Sequence, residues 1–92
     1  MPETPAPSAQ DEVVDLCREL IRIDTSNYGD ADGPGERKAA EYAAALLDQV
    51  GIESRLYEPE TGRTSLVARW GGGDGRAPLL VHGHLDVVPA AA

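Results

Sequence analysis

Leu79-Leu80-Val81-His82-Gly83-His84-Leu85-Asp86-Val87-Val88-Pro89 is the stretch on which the reading of this chain turns. An apolar run of the kind that sits buried in a sheet delivers two histidines and a carboxylate to its end. A divalent metal needs neutral imidazole or carboxylate ligands carried on rigid backbone. His84 supplies one such ligand, and Asp86, two residues on, can accept a proton from the ring nitrogen that faces away from a metal, locking the tautomer and raising ligand basicity. Gly83 lets the backbone turn tightly before His84, and Pro89 stiffens the exit and ends any central ladder. The bland alternative is a hydrogen-bonded strand end with no ion near it. His82 reads as a strand-end side chain.

Working back from that segment, Thr64-Ser65-Leu66-Val67-Ala68-Arg69-Trp70 reads as a strand closed by Gly71-Gly72-Gly73-Asp74-Gly75. The glycine run lacks the spacing of a phosphate-binding fingerprint and no helix start follows it, so it reads as a turn. Ile52, Ser54 and Leu56 alternate with Glu53, Arg55 and Tyr57, the period of a half-exposed strand, and Glu58 to Arg63 reads as the turn between them. The short connection predicts antiparallel pairing. Upstream, Pro34 and Glu36 favour a helix start; Ala39, Ala43, Leu46, Leu47 and Val50 line one face until Gly51 offers a left-handed stop. Its small alanines predict close packing against a sheet or the first helix. Asp24 to Gly35 is dense in turn formers and reads as a surface loop. Ser8 with Asp11 resembles a capping box, and Val13, Leu16, Cys17, Leu20 and Ile21 recur at helical spacing, predicting a first helix over Ala9 to Ile23.

The order is therefore helix, helix, strand, strand, strand, with Pro78 to Val81 as the third strand: the start of an α/β domain. At 92 residues the chain is one small domain at most, and a three-layer α/β domain usually needs more, so a partial domain over 9–92 behind a flexible lead-in at 1–8 is expected. Sixteen acidic against eight basic residues give a net charge of -8, which repels phosphate backbones and anionic lipid and argues against nucleic-acid and membrane-surface roles. The single cysteine, Cys17, excludes an internal disulfide and suits a reducing compartment. The first residues carry no basic, then apolar, signal-peptide pattern, and no apolar run approaches the roughly 18 residues a spanning helix requires, so a cytoplasmic location is expected.

Gly83-His84-Leu85-Asp86-Val87-Val88-Pro89 resembles a motif of the co-catalytic zinc peptidases and deacylases, the family of acetylornithine deacetylase, succinyl-diaminopimelate desuccinylase, aminoacylase and the glutamate carboxypeptidases. Leu20 to Ser26, Gly35 to Tyr42 and Thr64 to Trp70 also resemble that family's opening segments, in order. The resemblance implies a three-layer catalytic domain of the zinc-exopeptidase type. It makes His84 a zinc ligand and Asp86 the catalytic carboxylate that orients the imidazole without binding metal. It further implies two zinc ions in a complete enzyme, with cobalt as a substitute, and a small N-acyl amino acid or peptide as substrate. The other ligands and the general-base glutamate of relatives have no counterpart in these residues. A single imidazole cannot hold an ion alone, so the isolated 92 residues are expected to be inactive.

Three other readings stay open at this stage. Pro78 to Gly83 resembles the strand that ends in the oxyanion-loop His-Gly pair of α/β-hydrolases, although no nucleophile elbow is present. His82-x-His84 can be read as the metal pair of a barrel amidohydrolase. The chain can also be a small interaction module or an inert remnant in which the motif survives as packing.

Overall fold

The computed structural model describes residues 8–29 and 33–90. The expected lead-in, apart from Ser8, lies outside these residues, as do positions 30–32 of the loop and the last two alanines. Four regular elements follow in order: α1 (Ala9–Arg22), α2 (Arg37–Gln49), β1 (Ser54–Glu60) and β2 (Arg63–Ala68). They form a small α/β assembly of two helices and a two-stranded antiparallel sheet.

The capping box holds α1 at its start: the Ser8 hydroxyl accepts from the Asp11 amide at 3.2 Å, and the Asp11 carboxylate accepts from the Ser8 amide at 3.2 Å. The helix ends at Ile23, whose extended backbone leaves the helical region. Leu16 and Leu20 are half-buried, but α1 contributes no buried residue. Its expected apolar face thus has little to pack against among the described residues.

The small core lies instead where α2 meets the hairpin. Ala39 and Ala40 are buried because side chains this short let the helix backbone approach both strands. Of the expected helix face, Ala43, Leu46 and Leu47 are half-buried, whereas Val50 lies past the helix end and is exposed. Gly51 has φ 78°, the left-handed stop its type predicts.

Leu56 faces Leu66 across the hairpin, and Ser54 pairs with Ala68. The turn is shorter than the sequence suggests. Pairing resumes at Glu60 and Arg63, leaving Thr61 and Gly62 as the connection, with the register broken between Tyr57 and Glu60. Pro59 sits in that break, where a residue without an N–H cannot serve the ladder.

The expected third strand is corrected. Pro78 to Val81 belongs to no strand, and Leu79, Leu80 and Val81 are 88%, 88% and 83% exposed rather than buried. The physical reason is that a strand exists only by pairing, and among the described residues the hairpin strands pair only with each other. The segment rejoins the fold further on. Val87 forms a parallel bridge with Ser26, the Asn27 amide donating to the Val87 carbonyl at 2.8 Å and the Val87 amide to the Thr25 carbonyl at 3.1 Å.

Candidate functional site

The bridge at Val87 places His84 and Asp86 against the loop that follows α1. His84 Nδ1 lies 3.0 Å from Asp86 Oδ1 and 2.8 Å from the Asp86 carbonyl oxygen. A carbonyl oxygen can only accept, so Nδ1 must carry the hydrogen, and in the neutral ring the lone pair then sits on Nε2. The imidazole side chain is 78% exposed while the carboxylate beside it is 28% exposed, so a solvent-facing ring rests on a half-buried anchor.

Two side chains that the sequence reading did not single out hold the far oxygen of that anchor. Asn27 Nδ2 donates to Asp86 Oδ2 at 2.9 Å, and Arg63 Nη2 lies 3.6 Å from the same atom. The Asn27 amide hydrogen bond, with help from His84 and the Arg63 charge, holds the Asp86 carboxyl below the usual aspartate range against the opposing effect of partial burial. Arg63 is in turn placed by Glu36. The Glu36 carboxylate is buried, sits 3.2 Å from Arg63 Nη2, and accepts from the Thr64 amide at 3.3 Å. Glu36 occupies the N-cap position of α2 without capping it through its side chain, which is committed to the hairpin instead.

The arrangement joins three parts of the chain distant in sequence: the loop after α1, the α2 start with the hairpin turn, and the segment carrying His84. Asn27 reads as one turn former among many, Glu36 as a helix-start residue and Arg63 as the end of a turn. No local spacing distinguishes them, because their partners lie tens of residues away. A shallow depression lined by Asn27, Gly35, Glu36, Glu60, Gly62 and Arg63 adjoins the cluster. His82 stays exposed and takes no part in the described hydrogen bonds around Asp86.

Among the described residues no three His, Cys, Asp or Glu side chains come together to hold an ion. His84, with its Nδ1 occupied and Nε2 available, fits one ligand position; the pair does not supply the three or four protein donors of a zinc site. No helix among the described residues is long and apolar enough to cross a membrane, and Cys17 is exposed.

No family model matches the chain, and no solved structure matches it. Among curated proteins it is similar to two proteins described as "Probable succinyl-diaminopimelate desuccinylase", from two strains of Staphylococcus epidermidis. Each is 36% identical over 84 residues, a match that takes in 90% of this chain and 18% of the relative. The chain therefore spans less than a fifth of the length of these relatives, and the similarity is to one part of a desuccinylase.

Proposed function

We propose that the chain is the N-terminal part of the catalytic domain of a zinc-dependent hydrolase, a deacylase or exopeptidase that cleaves amide bonds of small N-acyl amino acids or dipeptides in the cytoplasm. In this reading His84 Nε2 is one zinc donor and Asp86 is the carboxylate that sets the ring. The observation that carries it is the 3.0 Å contact of His84 Nδ1 with an Asp86 carboxylate gripped from its other side by Asn27. A metal-ligating histidine needs an acceptor on one ring nitrogen with the other left available, and His84 has the first in Asp86 and the second in its exposed ring edge. The similarity of 84 residues to part of a desuccinylase supports the same reaction class.

When bound, the ions of such a centre polarise the amide carbonyl and activate water. The part of these residues is narrower: His84 presents a lone pair, and Asp86 and its neighbours keep that lone pair on Nε2. The isolated 92 residues are expected to show no hydrolase activity, since they bring a single donor; zinc-dependent turnover of an N-acyl amino acid by the purified chain would refute this.

The deciding experiment uses the whole protein that carries this sequence, comparing bound zinc by elemental analysis and hydrolysis of N-acyl amino acids before and after His84→Ala. Zinc content and turnover are both expected to fall, turnover by about a hundredfold or more. Unchanged zinc and unchanged turnover would overturn the assignment.

A further inference from the structure

We infer that Asn27 is the positioning residue of the His84–Asp86 pair, and that the Thr25–Asn27 segment sets the ring through two separate acceptors. The first acceptor is a peptide. The Val87 amide donates to the Thr25 carbonyl, and the carbonyl of that same peptide unit, which belongs to Asp86, is the oxygen 2.8 Å from His84 Nδ1. A trans peptide points its N–H and C=O in opposite directions, so fixing one end on Thr25 aims the other at the ring. The second acceptor is the carboxylate. Asn27 Nδ2 holds Oδ2 at 2.9 Å, which turns Oδ1 toward the imidazole at 3.0 Å.

The Asn27 amide has no freedom to reverse. Its Oδ1 accepts from the Gly29 amide at 2.8 Å, so Nδ2 must be the group that faces Asp86. Its backbone is held as well, donating to the Val87 carbonyl at 2.8 Å. One residue thus ties the two strands of the bridge and orients the acid between them. Arg63 stands on the same oxygen at 3.6 Å, supplying charge without the directionality of the amide bond.

This inference rests on the reading of His84 as a metal donor for its consequence, but it makes a claim about the metal-free chain that can be read directly. The test is the His84 tautomer, measured from the two ring nitrogen chemical shifts of the nitrogen-15-labelled whole protein that carries this sequence, freed of metal by a chelator, at a pH where the imidazole is neutral. In the parent chain the Nδ1–H form should dominate. In Asn27→Ala the ratio of Nδ1–H to Nε2–H should fall by about three- to tenfold, the worth of one hydrogen bond, while the Val87 amide shift shows that the backbone bridge persists. If Asn27→Ala loses the bridge, Asn27→Asp serves, since it keeps the size but sets carboxylate against carboxylate; the same fall is expected. A parent chain in the Nε2–H form, or an unchanged ratio in the variant that keeps the bridge, overturns the inference. Should the ratio fall as expected while the whole protein keeps its zinc after His84→Ala, the positioning role stands and the metal assignment alone fails.

Discussion

Gly35 leaves no room for a side chain: at φ 75° it lies against the hairpin turn, where a Cβ would overlap the Gly62 carbonyl oxygen. That oxygen is the acceptor for the Glu36 amide at 2.9 Å, so the close approach is what seats α2 on the hairpin. Gly35→Ala is expected to unseat α2 from the hairpin, read as loss of amide-exchange protection at Glu36 and along α2, because steric overlap adds to left-handed strain. Glu58 makes the matching prediction in pH. Its carboxyl is held below the usual glutamate range, chiefly by the Thr64 hydroxyl, 2.8 Å away, and then by Arg37. A carboxylate whose folded pKa is depressed stabilises the fold above its unfolded pKa, and that contribution is lost as pH falls through the folded value. The tie between α2 and the hairpin should therefore loosen on acidification below the usual glutamate range. In Glu58→Gln that part of the pH dependence, followed by chemical shifts of Arg37 and Thr64, should vanish. Neither position was legible beforehand. Gly35 reads as one of many loop glycines, and Glu58 as a turn residue, until the hairpin folds back onto the α2 start.

Among the elements, α1 and α2 are opposites. The first is held by its own chemistry: a capping box and the exposed ion pair of Arg22 with Glu19 at 2.6 Å. The second has no side-chain cap and is held by burial of Ala39 and Ala40 against the strands. Most helical stability in proteins comes from packing, so amide exchange should be faster along α1 than along α2. Ser8→Ala should cost α1 about 1 kcal/mol, seen as further loss of protection in its first turns with no change in α2. Helices and their caps were readable because their hydrogen bonds run between neighbours. The hairpin was readable because a short connection leaves few alternatives, although Pro59 moved its register. The strand expected at Pro78 to Val81 was not found, since apolar composition marks a segment fit for a sheet and cannot supply the strand beside it.

The whole molecule exposes 8217 Å², where a folded protein of 9.7 kDa is expected to expose about 5100 Å². Its radius of gyration is 16.1 Å, against about 12 Å for a compact domain of this length. Buried apolar residues are confined to Ala39 and Ala40 among the described residues. Leu79, Leu80, Val81 and Trp70 stand open to solvent, and exposed apolar segments with unpaired backbone invite association. The isolated chain is expected to self-associate or melt without a sharp transition. Leu80→Asp should raise the monomer fraction in sedimentation velocity; a parent chain that is monomeric and melts cooperatively would contradict this.

What the sequence determined by itself was local: two helices, the cap of the first, the glycine stop of the second, an antiparallel hairpin, and the His84-x-Asp86 spacing that allows a ring to meet an acid. Each depends on residues a few positions apart, whose geometry the backbone dictates. Only the tertiary structure decided which residues surround Asp86, because Asn27, Arg63 and Glu36 reach the site through the Ser26–Val87 bridge and the contact of Gly35 with Gly62. It also decided that Leu79 to Val81 remain unpaired, since a β-segment acquires its ladder from another part of a chain and not from its own apolar side chains.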